Sequence, residues 1–138
     1  MKNFLLAFIA TVLLSSTLSA QNVARECVLF EVFTGVNCPY CPAAANGIAE
    51  MLEEGLSIAP IAYHTNAFST DQFYTSETNA RASYYGINSY PTLKADGKLT
   101  KSGGGNASQS MYSQYISFYN QRIAIESPFT IDLSFDYH

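Results

Sequence analysis

Apolar residues run almost unbroken from Cys27 to Thr34 (CVLFEVFT), with Glu31 the one charge. That pattern predicts a strand covered on both faces, as in a parallel sheet. Gly35-Val36-Asn37 reads as a turn. Over Ala43–Glu54 the periodicity changes: Ala44, Ile48, Met51 and Leu52 fall on one helical face, and Gly55 is a natural stop. Pro39 and Pro42 are tolerated only where amide hydrogens lack helical partners, so the helix is expected to begin at or just after Cys38. Ser57–His64 predicts a second strand, with Pro60 counting against a central place in a sheet. Ser69–Tyr85 predicts a helix capped by Ser69 and Gln72 and ended by Gly86. Thr92–Ala95 and Lys98–Thr100 flank Asp96-Gly97, a strong hairpin signal. Gly103-Gly104-Gly105 is expected to be a flexible link. Asn106–Ile125 predicts a long amphipathic helix carrying Met111, Tyr115, Tyr119 and Ile123. The order strand, helix, strand, helix, hairpin, helix predicts an α/β sandwich with helices on both faces. The two parallel strands would end at one edge of the sheet, where α/β folds place their sites.

The first 20 residues have the layout of a secretory leader. Lys2 is the positive start, Phe4–Leu14 an apolar run, and Ser15–Ala20 a small polar end before Gln21. The run is shorter than the ~20 residues that span a bilayer. Cleavage after Ala20 is expected, with Ser19 as the alternative. Cys27 follows Ala24-Arg25-Glu26, which argues against lipid attachment there. An exported chain folding where thiols can be oxidised is the expectation. The rest has the length of one domain. The net charge of −4 argues against a nucleic-acid partner, which would want clustered Lys and Arg. With no Trp but ten Tyr and nine Phe, the core must draw its bulk from those rings. Three cysteines are too few for a disulfide scaffold and leave one over.

Cys38-Pro39-Tyr40-Cys41 is the sharpest chemical signal. A strand, a short turn and Cys-x-x-Cys opening a helix put the first sulfur at the helix N-terminus. Unpaired amide hydrogens and the helix dipole there favour a thiolate. A lowered thiol pKa gives more nucleophile and a better leaving group. A permanently closed local disulfide and half of a zinc site are the alternatives that this spacing leaves open.

The pair following VLFEVFTG, with Tyr85-Gly86-Ile87-Asn88-Ser89-Tyr90-Pro91-Thr92-Leu93 far downstream, resembles the thioredoxin superfamily. The resemblance covers roughly Val28–Ile125. It implies a three-layer thioredoxin-like sandwich over residues 21–126. It makes Cys38 the attacking cysteine, Cys41 the resolving one, and the two together a disulfide. It also implies a cis Pro91, with the Tyr90 backbone offered to a bound peptide. The dipeptide Pro39-Tyr40 is also that of glutaredoxins, but no lysine precedes Cys38 to hold a glutathione carboxylate. FTG before the dithiol, YHTNAF after the second strand and the helical insert before YYGI resemble the thioredoxin-like outer-membrane proteins of Gram-negative bacteria. Three departures weaken a general reductase: Asn37 stands where thioredoxins have Trp, Val32 where they have a buried carboxylate, and the span from Cys41 to Pro91 is longer.

Other candidates are fewer. His64 ends the second strand at the sheet edge that carries Cys38, where an imidazole could support a thiolate or carry its proton. The plainer reading is a loop histidine bonded to backbone. Cys27 lies at the far edge, since eight strand residues span roughly 25 Å at ~3.3 Å each. It is expected to be a small buried residue, with an intermolecular disulfide as the alternative. No metal and no cofactor are expected. Gly103–Gly105 lacks the following Gly-Lys-Ser/Thr of a phosphate loop. In the tail, Phe129, Ile131, Leu133, Phe135 and Tyr137 alternate with polar residues after Ser127-Pro128. Residues 127–138 therefore read as a linker and an added strand, the first of a truncated β domain. The function expected is extracytoplasmic thiol–disulfide exchange on protein thiols or disulfides, with an unknown redox partner and an outer-membrane association. The alternative is a non-enzymatic envelope or surface binding module stapled by Cys38–Cys41.

Overall fold

The structure is a computed structural model that describes residues 22–68, 70–132, 134 and 136. It divides into two units. The larger is Ala24–Ile125, and the smaller draws on the two chain ends, up to Val23 and from Glu126. In the smaller unit Val23 and Ser127 form one antiparallel bridge, exchanging backbone bonds of 2.9 and 2.8 Å. The expected leader lies outside the described residues, as do positions 133, 135, 137 and 138 of the expected tail strand.

Seven elements make the larger unit: β1 (Val28–Thr34), α1 (Cys41–Glu53), β2 (Ile58–His64), α2 (Ser76–Tyr84), β3 (Thr92–Ala95), β4 (Leu99–Ser102) and α3 (Tyr112–Ile123). The sheet order is β2-β1-β3-β4. β1 runs parallel to β2, from Val28 opposite Ile58 to Thr34 opposite His64, and antiparallel to β3. β1 is thus covered on both faces, which explains its nearly continuous apolar run. β2 is an edge strand, the place where a proline's missing donor is tolerated, so Pro60 sits within it. Asp96 and Gly97 both adopt left-handed φ (49° and 65°) in the β3–β4 turn, as the hairpin signal predicts. This is a thioredoxin-like sandwich.

On one face Val28, Phe30, Val32, Leu93 and Ala95 pack against Ala43, Ala44 and Met51 of α1 and Tyr115 of α3. Gly47, inside α1, lets the start of α3 touch that helix: a Cβ there would lie 2.8 Å from the Tyr112 nitrogen. Strand alternation turns Glu31 to the other face, beneath α2. Its fully buried carboxylate accepts from Arg81 Nε at 2.7 Å and from the Tyr85 hydroxyl at 2.8 Å. Burial alone would raise the Glu31 carboxyl. The bonds from Arg81 and Tyr85 outweigh it and hold the group below the ordinary glutamate value.

Two helices are shorter than their periodicity predicts. α2 begins at Ser76, not Ser69, because Thr75 and Thr78 form the capping box, each hydroxyl accepting the other's amide. Ser69 itself lies outside the described residues, and Asp71 is committed to a turn by accepting the Phe73 amide. α3 begins at Tyr112, not Asn106. The Asn106 side chain accepts from the Ser108 amide and the Gln109 side chain accepts from the Asn106 amide. Such local side-chain bonds compete with the helix.

Candidate functional site

β1 ends at the Gly35–Asn37 turn, which the Cys38 amide closes by donating to the Gly35 carbonyl at 3.1 Å. α1 begins at Cys41, with Tyr40 as its cap and Pro42 in its first turn. Cys38 therefore precedes the helix, and its sulfur bonds to the first helical residue. The Cys38–Cys41 disulfide has an S–S distance of 2.00 Å and a Cα separation of 5.4 Å. Both cysteines are buried, while Tyr40 between them is 60% exposed.

The Tyr90–Pro91 bond is cis and Pro91 is fully buried. The expectation that Gly103–Gly105 is a flexible link is overturned here. Gly103 donates its amide to the Pro91 carbonyl at 2.8 Å, and Gly105 donates to the Tyr40 carbonyl at 2.9 Å. Ala43 in turn donates to Gly105 at 3.1 Å. The glycines form a strap laid against the dithiol turn and Pro91. Gly104 is the tightest point: a Cβ there would sit 2.2 Å from the Tyr40 oxygen and 2.7 Å from Pro91 Cγ. Only a residue without a side chain permits that approach. Beside the strap, the Tyr90 N–H and C=O meet no backbone group among the described residues. The Tyr90 ring packs edge-on against Phe68 at 5.9 Å.

Behind the disulfide lies a cavity of about 570 Å³ between α1 and β2. Its lining includes Cys38, Cys41, Val32, Leu52, Ile61 and His64. His64 thus borders the same space as the two cysteines. Its Nδ1 lies 2.8 Å from Asp71 Oδ2. Asp71 also accepts the Val36 amide at 2.8 Å and the Phe73 amide at 2.9 Å. Burial would raise the Asp71 carboxyl, but the His64 bond and the two amides outweigh it and hold it below the ordinary aspartate value. Asp71 escapes the sequence reading because Ser69–Tyr85 looks like one helix. The Asn66 and Asp71 pair, whose side chain and amide bond at 3.0 Å, is the turn signal that marks the interruption.

Cys27 is exposed, which overturns the expectation of a buried residue. It lies ahead of the first residue of β1, at the sheet edge opposite the dithiol. The tyrosines of α3 divide between core and part-exposed face: Tyr115 is fully buried and Tyr112 half-buried against Glu54. Among the described residues no cluster of three or more His, Cys, Asp or Glu side chains could hold a metal ion. No helix among them is long and apolar enough to cross a membrane.

No protein-family model and no curated protein matches the chain. Among solved structures, a structural-genomics protein from Agrobacterium tumefaciens is similar, with 21% identity and a TM-score of 0.46 over 74% of this chain. The chain spans 49% of that protein's length. The site is therefore described by its own geometry: a disulfide-forming, redox-capable cysteine pair in a thioredoxin-like fold.

Proposed function

We propose that the chain is an exported thiol–disulfide oxidoreductase acting on protein thiols or disulfides through Cys38-Pro39-Tyr40-Cys41. The observation that carries this reading is the seat of the Cys38–Cys41 disulfide. It lies at the start of α1, in the turn whose Tyr40 carbonyl the glycine strap touches together with Pro91, and the Tyr90 backbone next to Pro91 is open among the described residues. In reduction of a partner, Cys38 attacks the partner's disulfide and Cys41 resolves the mixed disulfide. The exposed Tyr40 and the Tyr90 backbone are the surfaces a peptide would meet first. Export is supported by Lys2, the apolar run Phe4–Leu14 and the small residues before Gln21. FTG and YHTNAF support a place among thioredoxin-like outer-membrane proteins, in the periplasm or at the cell surface.

The test is insulin reduction together with a Cys41→Ser trap, whose mixed disulfides would name the partners. Turnover by the wild type and its loss in Cys38→Ser are expected; no exchange by the wild type would refute the reading. One observation favours a second reading. Both cysteines are buried, as suits a disulfide that staples a turn in a non-enzymatic binding module. That module would keep its fold and partners when Cys38 and Cys41 are both replaced by alanine, and would reduce nothing.

A further inference from the structure

A resolving thiol must shed a proton before it attacks, and a thiol near its ordinary pKa of about 8.5 is only ~3% ionised at pH 7. The space that could receive the proton is the cavity behind Cys38 and Cys41. Its walls are apolar, with Val32 from β1, Ile48 and Leu52 from α1 and Ile61 from β2. Among the described residues lining it, His64 is the one titratable side chain besides the two cysteines.

His64 is held from several sides. Its Nδ1 meets Asp71 Oδ2 at 2.8 Å, and the Asp71 side chain is 1% exposed. An ionised carboxylate can only accept, so Nδ1 carries the hydrogen, and in the neutral imidazole Nε2 is the nitrogen with the lone pair. Phe73 packs edge-on against the imidazole at 5.1 Å, and from α2 the Thr78 hydroxyl donates to the His64 carbonyl at 2.6 Å. Among the described residues, the groups that titrate or carry charge at the ring or in the cavity it borders are Asp71, from the loop after β2, and the cysteines of the dithiol turn. The same Asp71 carboxylate accepts the Val36 amide, in the turn that delivers Cys38. One buried carboxylate therefore sets the imidazole's tautomer and ties it to the dithiol turn.

We infer that His64 Nε2 exchanges a proton with Cys41, and that Asp71 is the positioning residue that holds His64 for this step. The inference rests on the dithiol-exchange reading. In the mixed disulfide between Cys38 and a partner sulfur, the Cys41 proton passes to Nε2. The Cys41 thiolate then attacks Cys38 Sγ. The Cys38–Cys41 bond forms and the bond from Cys38 to the partner breaks. The electron pair leaves on the partner's sulfur, which takes a proton from the imidazolium or from water. Cys41 is oxidised and the partner's sulfur is reduced. In reverse, an incoming thiolate opens the disulfide at Cys38, and the imidazolium protonates the departing Cys41.

The test follows the two sulfurs separately. The full chain is reduced and mixed with a chromogenic aromatic disulfide, in a Cys27→Ser background because Cys27 is exposed. The first equivalent of coloured thiolate reports attack by Cys38. The second reports attack by Cys41 on the mixed disulfide. Near pH 7, His64→Gln should slow the second phase about tenfold or more while the first stays within about twofold. Near pH 9 the gap should close, because Cys41 then ionises unaided. Asp71→Asn, which no longer dictates the tautomer, should slow the same phase severalfold with the same recovery at high pH. A second phase unchanged at pH 7 in both variants would overturn the inference, as would a deficit that persists at pH 9. A wild-type protein that releases neither equivalent would overturn the exchange reading itself.

Discussion

Gly104→Ala tests the strap against the dithiol turn. The added Cβ would lie 2.2 Å from the Tyr40 oxygen and 2.7 Å from Pro91 Cγ, both inside the 3.0 Å that real Cβ contacts respect. Neither neighbour is the free end of a flexible side chain. One is a backbone carbonyl that accepts from Gly105, and the other belongs to a fully buried ring. The strap must therefore shift. Overpacking of this kind costs ~1–3 kcal/mol. Stretching the bond from Gly105 to Tyr40 adds about 1 kcal/mol. Alanine's smaller unfolded-state entropy returns ~0.4–1 kcal/mol. The expected net loss is about 2 kcal/mol, or roughly 10 °C in Tm for a domain near a hundred residues. Urea unfolding of the oxidised protein, followed by far-ultraviolet circular dichroism, measures it, with the denaturant slope expected to stay constant. Stability within about 0.5 kcal/mol of wild type would refute the reasoning, because it would mean the strap is as yielding as a flexible link.

The other predictions concern buried polar groups and one helix contact. Glu31 and Asp71 both have folded pKa values below their ordinary values of 4.5 and 3.8. Their stabilising contribution is present above those values and is lost as pH falls through the folded ones, so the urea midpoint should be flat from about pH 7 to 5 and drop below about pH 4. A midpoint already falling between pH 7 and 5 would contradict this. Arg81→Ala strands the buried Glu31 carboxylate and should cost ~1.5–3 kcal/mol at pH 7. Its deficit relative to wild type should shrink in acid, where protonated Glu31 no longer needs the partner; an equal deficit at pH 7 and pH 4 would count against the pair. The Tyr115 hydroxyl is buried without a hydrogen-bond partner among the described residues, so Tyr115→Phe should be neutral or stabilising by about 1 kcal/mol in thermal unfolding. A clear loss would reveal a partner. Gly47→Ala raises helix propensity by ~1 kcal/mol yet should still destabilise, because its Cβ would meet the α3 backbone at 2.8 and 2.9 Å; a gain in urea midpoint would refute the contact.

Local chemistry made much of this protein legible from its residues alone. The run from Val28 to Thr34, apolar but for Glu31, calls for cover on both faces, and β1 has it. The change from that run to the periodicity of Ala44, Ile48 and Met51 marks strand against helix, because the two have different side-chain repeats. Asp96-Gly97 specifies its turn through left-handed backbone. Cys-x-x-Cys needs only one turn of chain to close, so its spacing allowed a disulfide as well as half of a zinc site, and the fold shows the disulfide. Tertiary structure decided what depends on contacts across many residues. Alternation put Glu31 opposite the core face, but its partner Arg81 lies 50 residues on and no local pattern pairs them. The periodicity of Asn106–Ile125 and Ser69–Tyr85 could not reveal where side-chain bonds would interrupt each helix. Three glycines read as slack until the fold lays them on Tyr40 and Pro91, where the missing side chains serve close approach rather than freedom. His64 was visible as a candidate. Asp71, which holds it, became visible only when the loops after β1 and β2 met, because a hydrogen bond records nearness in space and not in sequence.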